Sequence, residues 1–319
     1  LTFSDTAGQL TTATKNFTLS HGAAHHTTLA VASTLVNNTA FATQPVVTIY
    51  DADDNVVTSG SESTQTVTLS ATGATIAGSI TMDARDGVAD FNGKGVTLTG
   101  LVGAKTLTAT IASPSNIVKS QIVTITFGAA TKLAISTDAA DATNGSQFGT
   151  QPVILVQDVS GNLVANSTVS VTASVNNGTL DGTDTVPAVG GVATFTNLGL
   201  TATAGNKTLT YASSPLTSAT QSILAATGAP SQLRITVANT LVNNTAFATQ
   251  PVVTLLDSTG VVVTDGGYAA QTVTLSSPDA TIGGTVSMQS SAGVADFTGK
   301  GVKLTGIAGA HNLTATISS

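Results

Sequence analysis

The sequence has no cysteine and no tryptophan, and charged residues make up only 8% of its 319 positions. Without cysteine there are no disulfides, no thiolate nucleophiles and no cysteine-ligated zinc. The net charge is −7, and the ten lysines and arginines are thinly spread, so the basic surface of a nucleic-acid-binding protein is missing. No apolar run reaches the roughly 18 residues of a membrane-spanning helix. We therefore expect no nucleic-acid partner and no membrane span in this segment.

Strong helix-forming residues are also scarce. The chain contains one glutamate, Glu62, and two arginines, Arg85 and Arg234, whereas threonine, valine and alanine are abundant. This composition favours strands over helices. The length suits about three domains of roughly 100 residues each. The sequence thus predicts an all-β protein of several domains.

A repeated stretch sets the organisation of the chain. LVNNTAFATQPVVT at Leu35–Thr48 returns letter for letter at Leu241–Thr254, and a looser copy, NGSQFGTQPVILVQD, lies at Asn144–Asp158. Short glycine-alanine junctions separate the copies. We predict four segments: the C-terminal strands of a preceding or strand-exchanged repeat (1–22), repeat 1 (23–128), repeat 2 (129–228), and repeat 3 (229–319), which lacks its last strand.

Within each repeat, apolar and polar residues alternate over four to nine positions between clusters of Gly, Asn, Asp and Ser. This period of two is typical of strands with one buried face. Comparing the three copies identifies the residues expected to point inward: Val47, Ile49, Val67, Leu69, Phe91, Leu107, Ile154, Val156, Phe195, Leu209, Val253, Leu255, Phe297 and Leu313. These residues form two inner faces of one core, which two antiparallel sheets packed face to face would provide.

The turns and the strands after them resemble a known family. The segments Asp51–Val57 and Asp158–Val164, followed by GVATF at Gly191–Phe195 and AGNKTL at Ala204–Leu209, are similar to bacterial immunoglobulin-like (Ig-like) repeats of invasin- and intimin-like surface proteins. The resemblance implies tandem Ig-like β-sandwich domains in an extended rod at the cell surface or outside the cell. It also implies that this segment is a stalk or spacer without catalytic activity.

Oxygen ligands are densest in the turn of repeat 1. Asp51, Asp53 and Asn55 could bind calcium, which takes several such oxygens. A hairpin turn is the alternative, because it needs only an Asp or Asn at its start and a residue that tolerates positive φ. We predict no cofactor, with calcium at this turn as the alternative. We predict no catalytic residue, since Asp90 and its counterpart Asp296 alternate with inward phenylalanines and so lie on a solvated face.

Eight asparagines stand in the Asn-X-Ser/Thr pattern of glycosylation acceptors. They are Asn16, Asn37, Asn144, Asn166, Asn177, Asn206, Asn243 and Asn312. Sugar at such sites would supply hydration that a surface with few charges lacks.

Two functions remain open from the sequence. The first is a segment of an extracellular stalk, surface layer or filament, with self-association between like chains or repeats. The alternative is an adhesin that binds a cell-surface or matrix partner, or a glycan, through loops of one repeat. Residues 15–20, KNFTLS, have the pattern of the strand that repeat 3 lacks. We expect the chain to be a window on a continuous array rather than a subunit that donates this strand to its neighbour.

Overall fold

The computed structural model describes residues 2–3, 13–112 and 116–318. The chain divides into two compact units. The first comprises Leu1–Ala129 together with Asp158–Asn162, and the second comprises Ala130–Gln157 together with Leu163–Ser319. The predicted boundaries of the three repeats stay predictions, and we keep the repeat names for orientation along the chain.

Strands account for nearly all regular structure, as the composition predicts. In the first unit, β1 (Thr2–Phe3) pairs with β2 (Ala13–Thr14) ahead of repeat 1. The strands of repeat 1 are β3 (His26–Ala30), β4 (Thr34–Val36), β5 (Val46–Tyr50), β6 (Thr66–Thr72), β7 (Thr75–Ala77), β8 (Thr81–Asp83), β9 (Val88–Asp90), β10 (Thr97–Thr99), β11 (Gly103–Ile111) and β12 (Ile117–Thr126).

Two sheets enclose the core of repeat 1. One has the order β3-β5-β9 and the other β4-β12-β11-β6-β8, and β7 pairs with β10 beside them. Strand β12 runs antiparallel along the whole length of β11, and its end runs parallel to β4. The predicted inward residues of both sheets belong to one apolar cluster, with Val47 and Ile49 facing Val67, Leu69 and Leu107. Repeat 1 is therefore a β-sandwich, which confirms the predicted fold class.

The second unit follows a similar strand order in repeats 2 and 3. Repeat 2 has β13 (Lys132–Thr137), β14 (Ser146–Gln147), β15 (Val153–Gln157), β16 (Ser170–Val175), β17 (Thr179–Asp181), β18 (Thr185–Pro187), β19 (Val192–Thr194), β20 (Gly199–Thr201), β21 (Gly205–Ala212) and β22 (Ala219–Ala225). Repeat 3 has β23 (Gln232–Thr236), β24 (Val252–Leu256), β25 (Thr272–Ser276), β26 (Thr281–Gly283), β27 (Ser287–Gln289), β28 (Val294–Asp296), β29 (Lys303–Thr305) and β30 (Thr314–Ser318). Among its described residues, repeat 3 has no counterpart of β4 or β12.

The inward faces predicted from the three copies are confirmed. Fully buried side chains include Phe91, Phe195, Phe297, Leu107 and Leu209. Leu313 also packs against the apolar core of its repeat, but it is only half-buried. The strand that covers Leu107 and Leu209 has no counterpart beside Leu313 in the described part of repeat 3.

Two details of strand placement differ from the sequence pattern. The alternation predicts a strand near Asn55–Thr58, where the structure has a single bridge between Tyr50 and Val56. The pattern also misses β4 and β7, which are three residues long and too short for period two to show. Helical structure in the described residues is confined to the 3-10 turns Ser61–Thr64 and Gly266–Tyr268. Neither turn has the length or apolar character to cross a membrane.

Candidate functional site

The repeated stretch supplies three residues with fixed structural roles. Its phenylalanine is buried in the core, as Phe41 is at 3% exposure. Its glutamine bonds the stretch to the residue that precedes β10. Gln44 Nε2 donates to the carbonyls of Phe41 (3.0 Å) and Val96 (3.2 Å), and Gln44 Oε1 accepts from Val96 N at 2.8 Å. Gln151 and Gln250 make the same three bonds in the other copies.

The asparagine of the stretch forms part of a carboxylate site in the first unit. Asn37 Oδ1 accepts from Gly100 N at 2.9 Å, which leaves Nδ2 to donate to Asp158 Oδ2 at 2.8 Å. The same carboxylate oxygen accepts from Gly128 N at 2.9 Å and from Asn162 Nδ2 at 2.9 Å. Asn37 and Asp158 are 2% and 0% exposed. One oxygen of this buried carboxylate thus has three donors.

The second unit contains the same arrangement. Asn144 Oδ1 accepts from Ala202 N at 2.7 Å, and Asn144 Nδ2 donates to Asp257 Oδ2 at 2.6 Å. Gly228 N donates to the same oxygen at 3.3 Å. Asp257 is 0% exposed. We call each set of aspartate, junction glycine and preceding asparagine a junction clamp, because the asparagine comes from one repeat and the aspartate from the next.

The third aspartate of this kind, Asp51, lacks one of these donors. Gly22 N donates to Asp51 Oδ2 at 2.7 Å, and Asn55 Nδ2 donates to it at 3.1 Å. These bonds correspond to those of Gly128 and Asn162 with Asp158. Among the described residues, no asparagine takes the place that Asn37 has beside Asp158. Asp51 is nevertheless only 2% exposed.

Hydrogen bonds hold all three carboxylates in the charged form. For Asp51, the bond from the Gly22 backbone is the main reason that the pKa lies far below its usual range. Burial alone would raise the pKa of Asp158, but the bonds from Gly128, Asn162 and Asn37 outweigh it and lower the pKa from 3.8 to about 2. Burial likewise opposes the bonds from Asn144 and Thr259, which lower the pKa of Asp257. The clamps therefore contain carboxylates at neutral pH.

The predicted calcium ligands belong to the turn that presents Asp51. Asp51 Oδ1 accepts from Asp53 N at 3.0 Å and Asn55 N at 2.9 Å, which closes a turn. Asp54 has φ 62°, and its counterparts Gly161 and Gly260 also have positive φ. The Asp53 and Asn55 side chains are exposed. The hairpin turn is observed, and calcium binding at Asp51, Asp53 and Asn55 stays a prediction, which melting of the chain with calcium and with chelator would test.

Glycosylation also stays a prediction, and the structure divides its candidate sites into two groups. Asn16, Asn166, Asn177, Asn206, Asn243 and Asn312 are exposed. Asn37 and Asn144 are each 2% exposed, and their Nδ2 atoms donate within the clamps. In the folded chain these two nitrogens are therefore engaged in structure. From the sequence, both residues are predicted only as glycosylation acceptors. Their recurrence in the repeated stretch was a signal that could have indicated a structural role.

The carboxylates Asp90 and Asp296 lie on the exposed side of their strands, as predicted. The histidines at the first junction have separate partners. His21 Nε2 lies 2.8 Å from Ser59 Oγ, and His26 Nε2 lies 3.0 Å from Asp54 Oδ1. Within residues 2–3, 13–112 and 116–318, no three His, Cys, Asp or Glu side chains are placed to hold a metal ion together.

No protein-family model and no curated protein sequence matches the chain. Solved structures do. The Escherichia coli adhesin FdeC matches with 17% identity over 95% of each chain at a TM-score of 0.35. Invasin, a bacterial integrin-binding protein, matches with 15% identity over 91% of this chain and 56% of its own, at 0.34. A β-glucuronidase from Parabacteroides merdae matches with 12% identity over 61% of this chain and 24% of its own, at 0.24.

The chain thus spans about half of the invasin chain and a quarter of the glucuronidase chain. The two-sheet fold of the chain follows from its own strand order and register. In fold, the chain is similar to the Ig-like repeats of bacterial adhesins.

Proposed function

We propose that the chain is a segment of an extracellular or cell-surface structural protein, a stalk, surface layer or filament built of Ig-like repeats, with no catalytic role. The observation that carries the proposal is the recurrence of the junction clamp. Buried polar groups are retained at Asp158 and Asp257, where each aspartate accepts from the asparagine of the preceding repeat. A charge buried at this position costs free energy unless the preceding repeat supplies its donor.

A clamp of this kind suits a spacer that keeps its repeats in fixed positions. It joins repeats 2 and 3 of the second unit by more than the covalent linker, since Asn144 also donates to Thr259 Oγ1 at 2.6 Å. Such a contact restricts bending at the junction more than a free glycine-rich linker would. The spacer thus carries whatever is attached to it at a set distance.

The adhesin alternative predicts an exposed apolar patch confined to one repeat. The exposed apolar side chains of the described residues are instead distributed over all three, with Leu101 at 62%, Val189 at 78% and Ile307 at 89% exposure. This distribution favours the structural role over binding through one repeat.

Imaging of native material tests the proposal. Electron micrographs of the intact cell surface should show extended beaded fibres or layers that react with antibodies raised against the chain. Antibody labelling without permeabilisation tests the location in the same preparation. Isolated globules, or labelling only after permeabilisation, would contradict the structural and extracellular assignment.

A further inference from the structure

The junction clamp of the second unit also holds a hydroxyl group against the Asn144 carboxamide. Thr259 follows Asp257 by two residues, in the turn that presents this aspartate. Its Oγ1 accepts from Asn144 Nδ2 at 2.6 Å and donates to Asp257 Oδ1 at 2.8 Å. The other oxygen of the same carboxylate, Oδ2, accepts from Asn144 Nδ2 at 2.6 Å. One carboxylate therefore contacts both the hydroxyl and the amide nitrogen.

The carbonyl end of this carboxamide has a donor of its own. Ala202 N donates to Asn144 Oδ1 at 2.7 Å. A backbone N–H fixed at this distance stabilises the negative charge that develops on a carbonyl oxygen when a nucleophile attacks the carbonyl carbon. Asn144 and Asp257 are 2% and 0% exposed, so solvent does not compete for these bonds.

Together these groups form the parts of an acyl-transfer site. Thr259 Oγ1 is a nucleophile bonded to a base, the Asp257 carboxylate. The Asn144 carboxamide is the electrophile, and its oxygen is already bonded to the Ala202 N–H. Burial opposes the charged form of the carboxylate, but the bonds from Asn144 and Thr259 outweigh burial and lower its pKa. The carboxylate is therefore in the form that accepts a proton.

The first unit contains the same constellation with a serine. Asn37 Nδ2 donates to Ser160 Oγ at 2.9 Å and to Asp158 Oδ2 at 2.8 Å. Gly100 N donates to Asn37 Oδ1 at 2.9 Å. Ser160 also follows its aspartate by two residues, whereas the corresponding turn of repeat 1 has Asp53 at this place. The hydroxyl is therefore a feature of the two clamps and not a requirement of the turn.

Glycine at position 145 lets Thr259 come this close to the asparagine. Gly145 has φ 73°, and a Cβ on it would lie 2.7 Å from Thr259 Cγ2. A larger residue there would push the threonine away from the carboxamide. In the first unit the equivalent position is Asn38, and the hydroxyl residue is Ser160, which has no methyl group. The two positions thus differ in size in the direction that keeps a hydroxyl at the asparagine.

We propose that the clamp of the second unit joins repeats 2 and 3 by an ester bond between Thr259 and Asn144. Thr259 Oγ1 attacks Cγ of Asn144, and its proton passes to the Asp257 carboxylate. The tetrahedral intermediate loses Nδ2, which takes the proton from Asp257 and leaves as ammonia. The Oγ1–Cγ bond forms, the Cγ–Nδ2 bond breaks, and no oxidant or further reactant is needed. The reaction occurs once per chain and turns over no substrate.

The attack requires a small movement of the threonine. In the structure Oγ1 accepts from the nitrogen end of the carboxamide, and attack takes place on the face of the carbonyl carbon at about 3 to 3.5 Å. Thr259 is exposed, so its side chain is free to make this shift, whereas Asn144 is held at both ends. A carboxylate of low pKa is a weak base, so the reaction is slow compared with folding.

An ester bond changes what the junction withstands. A hydrogen-bonded clamp opens whenever its bonds break, whereas a covalent bond between Asn144 and Thr259 keeps repeats 2 and 3 linked even when one of them unfolds. The inference goes beyond the proposed function, because a spacer of hydrogen-bonded repeats does not need the covalent bond.

Peptide mapping of the folded chain tests the proposal. Trypsin cuts after lysine and arginine, so Asn144 and Thr259 fall in separate peptides, 133–207 and 235–300. After incubation of the folded chain at neutral pH, we expect one linked species that is lighter than the two peptides by one ammonia. Tandem mass spectrometry should place the link at Asn144 and Thr259. A chain kept in urea throughout should give both peptides separately at full mass, because unfolding separates the hydroxyl from the amide.

Three variants identify the nucleophile, and circular dichroism checks that each one is folded. Thr259→Val keeps the shape of threonine without the hydroxyl, so the linked species should be lost. Thr259→Ser keeps the hydroxyl and should retain the link. The matched control is Thr264→Val, at an exposed position between β24 and β25, which should link as the parent does.

The same measurements show when the proposal fails. Separate peptides at full mass after prolonged incubation of the folded parent overturn it. Conversion of Asn144 from amide to acid without a link also overturns it, because the Gly145 nitrogen or water would then have attacked in place of Thr259. A link that survives Thr259→Val overturns it as well, because another group would then be the nucleophile.

Discussion

At the residue scale, the repeated stretch contains three residues with separate structural roles. Phenylalanine fills the core, glutamine bonds the opposite strand, and asparagine reaches out of its own repeat to a carboxylate. Only the asparagine has a partner outside its repeat. Its environment therefore differs among the copies, from 2% exposure at Asn37 and Asn144 to an exposed side chain at Asn243.

This difference predicts unequal effects of one substitution. Asn144→Ala removes a donor from the buried Asp257 carboxylate, so we expect the free energy of unfolding of the second unit to fall by about 1.5 to 3 kcal/mol. Asn243→Ala removes the same atoms from an exposed site and should change it by less than about 0.5 kcal/mol. Urea unfolding followed by circular dichroism at low protein concentration measures both. Equal effects would mean that the clamp contributes nothing.

The lowered pKa of Asp158 predicts a pH dependence. Because this pKa falls from 3.8 to about 2 on folding, the folded chain binds fewer protons than the unfolded chain between these values. The stabilisation is therefore fully present above about pH 4 and is lost as the pH falls toward about 2. Asp158→Asn should destabilise the first unit at neutral pH and flatten its loss of stability in that acid range.

The control for this prediction is Asp184→Asn, at an exposed position. Urea unfolding at a series of pH values from about 7 to 2 compares the two variants with the parent. An Asp158→Asn curve that stays parallel to the parent curve through the acid range would contradict the assignment.

The sequence predicts the clamp only in part. It identifies Asp51 and Asp158 as turn starters and Asn37 as a recurrent residue, because local spacing reveals such features. It does not reveal that Asn37 and Asp158 meet, since they are far apart in sequence and neither lies in a regular strand pairing. In retrospect, the low charge of the chain also points to these aspartates, because the chain has few other carboxylates that could be buried.

At the element scale, one strand decides how well a sandwich is closed. Strands β12 and β22 cover β11 and β21, and the described part of repeat 3 has no such cover over β30. The period-two pattern assigns Leu107 and Leu313 to the same inward face, and it is right about the direction of both. Burial depends on the neighbouring strand, which alternation within one strand does not encode. For this reason the pattern predicts orientation correctly and misses exposure at Leu313.

Truncation of Leu107 and Leu313 measures how much the covering strand contributes to the stability of each sandwich. Leu107→Ala opens a cavity in a closed core and should cost about 2 to 5 kcal/mol of unfolding free energy. Leu313→Ala acts on a half-buried side chain with solvent at one side, so we expect roughly half of that cost or less. The comparison requires dilute, monomeric protein and unfolding curves resolved by hydrogen exchange of β11 and β30. Equal costs would show that Leu313 is as well covered as Leu107.

At the scale of the whole molecule, the chain pairs a low charge with many strand edges. Such edges are usually guarded by lysine or proline, and the sequence has eight prolines and ten lysines and arginines among 319 residues. Few of the strand edges therefore carry the residues that discourage pairing with another chain.

Hydrogen exchange should reflect the difference in cover between β11 and β30. In dilute protein, the amides of β30 should exchange faster than those of β11 by about tenfold or more, because a half-covered strand opens at a lower free energy by about 1.4 kcal/mol or more. Strand β21 of repeat 2, which β22 covers, is the control and should exchange as slowly as β11. Equal protection of β30 and β11 in the dilute chain would mean that both strands are equally well covered, which would contradict the prediction.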